Sequence, residues 1–473
     1  MILAIDQGTT GTTCLVVDEE LRLRGRGYSE LPQHFPRAGW VEHDPEEIWA
    51  TVLAAASGAL RVAGVQATGL RAIGITNQRE TTLLWDRATG TPVAPAIVWQ
   101  DRRTAERCRE LPADLIRTKT GLVRAPYVSA TKLEWLLAHA DVPRDGLAFG
   151  TVDSWLVWRL TGGEAHVTDL TNASRTMLLG LDDLDWDEEL LALFGVEREL
   201  LPRLVRSSEV VAEGRLLGVA LPVAGIAGDQ QASLVGHGCF DPGEAKATYG
   251  TGSFVLAHVG QARRPAPAGL LETVAASGYA HEGAILASGA AIQWLRDGLG
   301  LITSAAESEQ LARSVASAAG VTFVPALAGL GSPHWDAAAR GLISGITRGT
   351  TRAHLVRAAL EAIAFQVADV LELLPEPVGI LRADGGASAN GFLMQLQADV
   401  LGCPVEVAAE QETTALGAAA LAGRAIGLWP DDEAIRARIR RGAVYEPSLD
   451  RGWVEERRAD WRLAVRRARL TDS

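Results

Sequence analysis

The chain has 473 residues, 47% of them hydrophobic and 22% charged, which favours a globular protein of two or three domains. Its formal net charge of −13 disfavours general binding to nucleic acid or to an anionic membrane, because both are negatively charged and bind positively charged protein surfaces. There is no stretch of about 18 apolar residues and no apolar leader, and the four cysteines are far apart. We therefore expect a cytoplasmic protein with reduced thiols and no membrane insertion.

Strand-like and helix-like segments alternate along the chain. Strands are predicted at MILAID, TCLVVD, AIGITN, LLWD and AIVW, and later at PVAGIAGD, EAKATYG, FVLAHVG and GILRADGG. A helix is predicted from Pro45, because Asp44 can cap it, Glu47 stands at the capping-box position and apolar residues follow at helical spacing. Residues 351–374 repeat that spacing as a buried helix. These elements predict an α/β protein with mixed strand order.

Two turns rich in Gly and Thr follow strand-like runs, one in each half. The first is DQGTTGTT near residue 10, and the second is TYGTGSF at 248–254. Glycine lets backbone N–H groups approach a phosphate and threonine adds donors, although an ordinary polar hairpin has the same composition. The first turn is not a P-loop, since G-x-x-x-x-G-K-[ST] is missing and a strand follows it. The repetition suggests two related domains across a cleft, 1–236 and 237–473.

Several longer segments together resemble one family. They are GWVEHDPEEIW, GITNQRETTLLWD, AIVWQDRRTAE, VTDLTNASRTML, GIAGDQQASLVG and DGGASANGFLMQLQADVLG, with family-wide signatures at 127–139 and 341–361. The family is the FGGY carbohydrate kinases, which includes kinases of glycerol, xylulose and gluconate. The resemblance covers residue 1 to about residue 455. Within it, NQRE and WQDRR are similar to the members that act on glycerol.

The resemblance implies a fold and a reaction. The fold is two actin-like (ribonuclease H-like) domains, each a mixed sheet flanked by helices, with a catalytic cleft between them. Residues 1–236 would carry the polyol site and the first phosphate turn, and 237–473 most of the nucleotide site. The reaction is ATP-dependent phosphorylation of glycerol to sn-glycerol 3-phosphate with Mg²⁺, in a cytoplasmic homodimer or homotetramer.

Two aspartates are candidates for metal binding and base catalysis. Asp6 stands between an apolar strand and the first turn, where a carboxylate can hold Mg²⁺ or can cap the turn. Asp229, in GIAGDQQ, is by itself typical of a helix N-cap. The resemblance implies that Asp229 is the general base that accepts the hydroxyl proton and also contacts Mg²⁺.

The resemblance also implies two sets of binding residues. The polyol site should combine paired donors and acceptors with aromatic walls, and it comprises Arg79, Glu80, Trp99, Tyr127, Asp229, Gln230 and Phe254. The nucleotide site should lie at the two turns and two later segments, and it comprises Thr9, Thr10, Gly11, Thr13, Thr251, Gly252, Gly289, Gln293, Gly386 and Asn390. Taken singly, an Arg-Glu dipeptide is typical of an exposed loop, and a tryptophan of a core.

The sequence departs from the family pattern at three places. Thr13 stands where glycerol-phosphorylating members commonly carry Arg, which removes a cation near the nucleotide. EVVAEGRLLGVALPVAG lacks both the glycine- and lysine-rich loop for a sugar bisphosphate and the phosphorylated histidine of some members, so neither regulation is assumed. GSPHWD contains His334, which we interpret as a surface or packing residue.

Three other functions stay open. A kinase for another small polyol or ketose is disfavoured by Arg79 and Glu80 with Trp99 and Phe254. A nucleotide-binding pseudokinase is disfavoured by Asp6, Asp229 and both turns. An actin-fold ATP-binding protein that works by opening and closing would need an appended partner domain, and none is visible in the sequence.

Overall fold

The computed structural model describes residues 1–140 and 142–469, and two large β-sheets dominate it. Residues 470–473, the end of the second predicted domain, lie outside the described residues. Within the described ranges, no helix combines the length and the apolar character needed to cross a bilayer.

The first half of the chain builds the first sheet and most of its helices. In chain order its elements are β1 (Ile2–Gln7), β2 (Gly11–Val17), β3 (Leu23–Glu30), β4 (Glu42–His43), α1 (Pro45–Ala63), β5 (Ala72–Asn77), β6 (Leu83–Asp86), β7 (Ala96–Ile97), α2 (Ala105–Glu110), α3 (Ala113–Thr120), α4 (Ser129–His139), β8 (Leu147–Gly150), α5 (Val152–Thr161), β9 (Val167–Asp169), α6 (Leu170–Ala173), β10 (Leu179–Gly180), β11 (Asp185–Trp186), α7 (Glu188–Phe194), β12 (Arg203–Val205), β13 (Ser208–Leu216), β14 (Val219–Gly228) and α8 (Asp229–Gly236).

The second half builds the second sheet. Its elements are β15 (Ala245–Tyr249), β16 (Ser253–Gly260), β17 (Leu271–Val274), β18 (Tyr279–Ile285), α9 (Gly289–Gln293), α10 (Ala305–Arg313), β19 (Thr322–Val324), β20 (Leu342–Ser344), α11 (Arg352–Leu371), β21 (Leu381–Asp384), α12 (Gly391–Leu401), β22 (Val405–Ala408), α13 (Thr413–Ala425), α14 (Asp432–Arg436), β23 (Arg441–Tyr445) and α15 (Arg451–Arg469).

The two large sheets contain the same arrangement of five strands. The six-stranded first sheet has the order β13-β14-β5-β1-β2-β3, and the seven-stranded second sheet has the order β17-β18-β16-β15-β21-β22-β23. β1, β2 and β3 are antiparallel neighbours, whereas β1, β5 and β14 are parallel. β15, β16 and β18 repeat the antiparallel part, and β15, β21 and β22 the parallel part. The Gly/Thr turns join β1 to β2 and β15 to β16, so they occupy equivalent positions.

The central strands of the first sheet are buried on both faces, because helices cover each side. Leu3 and Ile5 of β1 pack in a cluster with α1 and α5, whereas Ile2 and Ala4 pack with α8 and α13. Successive residues of a strand point to opposite faces, so a continuous apolar run such as ILAI suits a strand with two covered faces.

Helix α13 crosses from the second half of the sequence to the first sheet. Its residues Ala418 and Ala422 belong to the cluster that covers β1, and α13 packs closely on β5, β14 and α8. Farther along, Trp429 Nε1 donates a hydrogen bond to the carbonyl of Glu19, at 3.0 Å. Helices α8 and α13 together therefore form the junction between the two sheets. The domain boundary between residues 236 and 237 stays a prediction.

Several local predictions can be compared with the structure. Asp44 caps α1 by accepting from the backbone N–H of Glu46, as predicted. The predicted capping box is wrong at its second position, because Glu47 lies 3.0 Å from His34 Nε2 instead. The buried helix predicted at 351–374 is α11. The segment without the bisphosphate loop forms the β13–β14 hairpin.

His334 contacts a residue of helix α15. His334 Nδ1 lies 3.3 Å from Arg469 on α15, and burial is the first cause of its lowered pKa. This agrees with a packing role.

All four cysteines are free thiols, and burial raises the pKa of Cys239 to about 11.

Candidate active site

The predicted acids meet at one edge of the first sheet. β1, β5 and β14 are adjacent and parallel, and their last residues lie at the same level of the register. Asp6 is near the end of β1, Arg79 and Glu80 follow β5, and Asp229 begins α8 directly after β14. Open α/β sheets bind ligands at this carboxyl edge, where neighbouring loops diverge.

Arg79 is held by carboxylates from both sheets, and its side chain is only 4% exposed. Nε lies 3.1 Å from Asp229 Oδ1, while Nη1 and Nη2 donate to the two oxygens of Glu282 on β18, at 2.6 and 3.1 Å. Burial by itself lowers the pKa of Arg79, but the charges of Glu282, Glu80 and Asp229 outweigh it and raise that pKa above its usual value. The guanidinium is therefore a fixed positive charge beside Asp229.

Glu80 adopts the left-handed backbone conformation, with φ of +64°. Its carbonyl accepts from the hydroxyls of Thr82 and Ser129, each at 3.0 Å. Its Oε1 accepts from Nε of Arg175 at 2.7 Å. Such a conformation is uncommon outside glycine and persists where surrounding contacts hold it, which is typical of functional sites.

Tyr127 brings an unused hydroxyl to the same place. Its Oη is buried and has no hydrogen-bond partner among the residues described by the structure. The ring lies 5.8 Å from the guanidinium carbon of Arg175, and the carbonyl of Tyr127 accepts from Lys132 at 2.6 Å. Burial raises the pKa of Tyr127 to about 12, so the hydroxyl stays protonated at neutral pH. A buried hydroxyl of this kind fits a ligand that supplies a hydrogen-bond partner.

Trp99 connects the Arg79–Glu80 loop to the first turn. Its Nε1 donates to Thr9 Oγ1 at 2.9 Å, and its backbone N–H donates to Thr81 Oγ1 at 3.3 Å. Thr81 directly follows Glu80. Trp99, predicted as an aromatic wall, therefore contacts the first turn of the predicted nucleotide site and the loop that carries Glu80 of the predicted polyol site.

One face of the second sheet closes the site from the other side. The strand register puts Lys246, Phe254 and Glu282 on this face, since residues directly opposite each other in antiparallel strands share a face. Lys246 Nζ donates to Gln230 Oε1 in α8, and Glu282 contacts Arg79. Gln230 and Phe254 are thus brought to the site, but Lys246 already engages the amide oxygen of Gln230.

The acids of the site fit a hard divalent cation. The pKa of Asp6 is raised well above its usual value, first by burial and then by the negative charges of Asp229 and Glu412. A bound cation would relieve this accumulation of negative charge. Within the described ranges, no group of three or more His, Cys, Asp or Glu side chains could hold a metal unaided. One or two carboxylates suffice for Mg²⁺ that keeps water and phosphate oxygens as its other ligands.

In the first turn, Gly11 lies directly against the ring of Tyr28. The space for a Cβ on Gly11 is filled by the ring of Tyr28, whose hydroxyl would be 2.5 Å away. The same hydroxyl donates to the carbonyl of Thr10 at 3.2 Å. Thr10 is exposed, whereas Thr13 is buried on β2 directly opposite Asp6. Thr13 therefore lines the wall beside Asp6 and does not lie on the rim of the turn.

The second turn is joined to the segment that contains Gly289. The N–H of Gly250 donates to the carbonyl of Gly252 at 2.9 Å and closes the turn. Gly289 and Ala290 then donate their N–H groups to the carbonyls of Gly250 and Thr251, at 3.0 and 2.9 Å. The structure thus brings together three of the predicted nucleotide residues, with Thr251 exposed.

The remaining predicted nucleotide residues lie nearby or have local roles. Gly385, with φ of +85°, packs so closely on Tyr249 that a Cβ would be 2.6 Å from its carbonyl oxygen, which places the exposed Gly386 beside the second turn. Gln293 is exposed at the end of α9. Asn390 caps α12 through its side chain, which accepts from the backbone N–H of Leu393.

Sequence reasoning missed three charged residues of the site. They are Arg175, Lys246 and Glu282, all buried. Lys246 and Glu282 each stand inside an otherwise uncharged strand run, ATY and YAH being their neighbours. A charge at a buried strand position is costly unless it is paired, and this signal could have found them.

Comparisons with known proteins agree with this geometry. Residues 1–236 match the N-terminal domain of the FGGY family of carbohydrate kinases, and residues 245–426 match its C-terminal domain. A glycerol kinase of Aromatoleum aromaticum is 52% identical over 99% of this chain and 98% of its own length. Glycerol kinase 2 of Thermotoga maritima is 50% identical, with the same coverage of both chains.

A solved structure also matches over the whole chain. The crystal structure of Plasmodium falciparum glycerol kinase with ADP has a TM-score of 0.93 and 34% identity, covering 100% of this chain and 98% of that one. The predicted fold, two actin-like domains with mixed sheets flanked by helices, is confirmed. The chain therefore belongs to the FGGY family of carbohydrate kinases.

Proposed function

We propose that this chain transfers the γ-phosphoryl group of ATP to glycerol and forms sn-glycerol 3-phosphate. The observation that carries the proposal is the meeting of Arg79, Glu80 and Asp229 with the unpaired hydroxyl of Tyr127. Glycerol kinases about 50% identical over the whole chain support it.

The polyol site is built for a small molecule with several hydroxyls. Arg79 and Tyr127 donate hydrogen bonds, and Glu80 and Asp229 accept them. Trp99, Phe254 and Gln230 complete the walls. A site that pairs each hydroxyl rejects analogues that lack one, because its buried polar groups are then left without partners.

The nucleotide is bound between the two Gly/Thr turns. Backbone N–H groups and threonine hydroxyls of the turns face the phosphates. The proposed residues are Thr9, Thr10, Gly11 and Thr13 in the first domain, 1–236, and Thr251, Gly252, Gly289, Gln293, Gly386 and Asn390 in the second, 237–473.

Asp229 is the general base of the reaction. Its side chain is 33% exposed and Arg79 Nε holds one of its oxygens at 3.1 Å, so the carboxylate is both oriented and accessible. Asp229 accepts the proton of the attacking hydroxyl while the new O–P bond forms and ADP leaves. Asp6 and Asp229 would hold Mg²⁺, directly or through water, and the cation would neutralise phosphate charge.

The protein's surroundings are also proposed. A cytoplasmic location is supported by free, mostly buried cysteines and by the use of ATP. A homodimer or homotetramer is proposed from the family resemblance.

The test is a coupled assay of ADP release with Mg²⁺ATP and glycerol, run beside dihydroxyacetone, erythritol and xylulose. Asp229→Asn should lower kcat by about 10² to 10⁴, the usual contribution of a general base. Asp431→Asn is the matched control, because Asp431 is also an aspartate at a helix start, the N-cap of α14. It should retain full turnover.

Other outcomes would overturn parts of the proposal. Turnover of another polyol or ketose without turnover of glycerol would refute the substrate. Binding of ATP without transfer to any acceptor would identify a pseudokinase. Full activity of Asp229→Asn would refute the assignment of the base.

A further inference from the structure

Glu282 brings a charge from the second sheet into the polyol site. It lies in β18, and its side chain is 1% exposed. Both carboxylate oxygens accept from Arg79, at 2.6 and 3.1 Å. A two-point contact of this kind fixes the plane of a guanidinium as well as its position.

The other edge of the same guanidinium is held by α8. Its Nε lies 3.1 Å from Asp229 Oδ1, and Nη1 also donates to Gln231 Oε1 at 3.3 Å. Groups from α8 and from β18 of the second sheet thus define the orientation of Arg79. A rotation toward either side would break contacts on the other.

A second arginine shares the carboxylate. Arg175 Nη2 lies 3.3 Å from Glu282 Oε1, while Arg175 Nε donates to Glu80 Oε1 at 2.7 Å. Glu282 therefore connects both members of the Arg79–Glu80 pair, one directly and the other through Arg175. Without Glu282, two buried guanidinium groups would lose a common partner, which is a costly change.

We propose that Glu282 is a positioning residue for the polyol site, which makes substrate affinity depend on a residue of the second sheet. The proposal rests on the proposed function. These contacts leave one N–H of Arg79, on Nη2, to donate to a substrate hydroxyl. Glu282 sets the direction of that donor without taking part in the proton transfer. A loss of Glu282 should therefore weaken polyol binding and polyol discrimination.

The experiment compares Glu282→Gln and Glu282→Asp with Glu272→Gln. Glu272 is a matched control because it lies on the neighbouring strand β17, is also buried, and accepts from Arg263 Nε at 2.8 Å and from a backbone N–H at 2.7 Å. KM and kcat are measured separately for glycerol and ATP. The ratio of kcat/KM for glycerol to that for propane-1,2-diol and propane-1,3-diol gives the discrimination.

Glu282→Gln keeps the shape but presents an amide to one guanidinium nitrogen. We expect the glycerol KM to rise about tenfold or more, with a smaller change in the ATP KM, because a uniform binding interaction is lost. Discrimination against at least one diol should fall. Glu282→Asp keeps the charge, so it should restore part of the glycerol affinity and part of the discrimination against the diols. Glu272→Gln should lower the melting temperature without changing the glycerol KM or the discrimination against the diols.

Wild-type glycerol KM and discrimination in Glu282→Gln, or changes equal to those of Glu272→Gln, would overturn the proposal. If Glu282→Gln does not fold, Glu282→Asp decides by the same two quantities. If the wild type phosphorylates a different polyol, the proposed function fails separately, and the KM comparison on that polyol decides the role of Glu282. If no acceptor is phosphorylated, calorimetric binding of glycerol to wild type and Glu282→Gln decides it.

Discussion

At the scale of single residues, the proposed polyol site differs from the protein core in the hydrogen bonding of its tyrosine. The buried hydroxyl of Tyr127 has no partner in the described part of the chain, whereas the buried hydroxyl of Tyr249 donates to Gln397 at 3.0 Å. An unpaired buried hydroxyl costs stability, and a paired one supports it. We therefore propose a binding role for Tyr127 and a structural role for Tyr249.

Tyr127→Phe should raise the glycerol KM about tenfold, the effect of one lost hydrogen bond, with a smaller change in kcat. Its melting temperature should equal or exceed that of the wild type, because only an unpaired group is removed. Tyr249→Phe should show the reverse, a lower melting temperature and an unchanged glycerol KM. Steady-state kinetics and thermal unfolding measure both. Equal glycerol KM in wild type and Tyr127→Phe would contradict the assignment.

Asp153 gives a prediction for pH dependence away from the site. It is buried in α5, where the hydroxyls of Thr151 and Thr168 donate to it. Burial, with a smaller contribution from Asp169, raises its pKa to about 7. The unfolded chain releases this proton near pH 4, about three pH units lower. The folded protein therefore holds the Asp153 proton more tightly than the unfolded chain does. The contribution of this proton to folding stability is fully present below about pH 4 and is lost as the pH rises through about 7.

Asp153→Asn removes this titration. Between pH 5 and pH 8, the stability of the variant relative to the wild type should shift in favour of the variant, by about 2.5 kcal/mol. Calorimetric unfolding across that range measures the shift. Parallel stability curves for the two proteins would show that Asp153 does not titrate there.

At the scale of elements, the crossing of α8 and α13 depends on glycine. A Cβ on Gly417 would lie 1.8 Å from the carbonyl oxygen of Ala232, and one on Gly236 would lie 2.0 Å from that of Thr413. These contacts are with backbone, which cannot move aside as a side chain can. Since α8 begins with Asp229, the crossing also sets the position of the proposed base.

Gly417→Ala should destabilise the protein by about 3 kcal/mol, at the upper end for overpacked positions, despite the better helix propensity of alanine. Activity should fall as well, because α8 must shift. Gly379→Ala is the control, since a Cβ there meets nothing within 4 Å. Urea unfolding and the ADP assay test both variants. Wild-type stability in Gly417→Ala would show that the helices can separate at little cost.

At the scale of the whole molecule, two copies of one strand arrangement each supply a turn at equivalent positions. The Arg79–Glu282 and Gln230–Lys246 contacts join the two copies across the site. Chemistry between two such domains is protected from water when they come together. Phosphoryl transfer to water should therefore be slow in the absence of a polyol.

The rate of ATP hydrolysis without glycerol should be below about one-hundredth of the rate of glycerol phosphorylation, because water is not positioned as the acceptor. Phosphate release with and without glycerol measures the ratio. Glu282→Gln, which breaks a contact between the domains, can be compared in the same assay. Rapid hydrolysis without glycerol would contradict the closed site.

Nine strands, the helices α1 and α11 and the two Gly/Thr turns could be predicted from the sequence. Strand and helix positions followed from the spacing of apolar residues, and the two turns followed from glycine and threonine, because backbone conformation depends on residues close in sequence. Asp6, Arg79, Glu80 and Asp229 could be named from short segments and their resemblance to a family. Their roles stay proposals.

The pairing of residues across the site depends on the tertiary fold. Arg79 and Glu282 are 203 residues apart, and no spacing in the sequence pairs them. The packing of α13 on the first sheet likewise depends on how distant segments are brought together. Contacts between segments far apart in the chain are set by packing of the whole fold, so local patterns do not encode them.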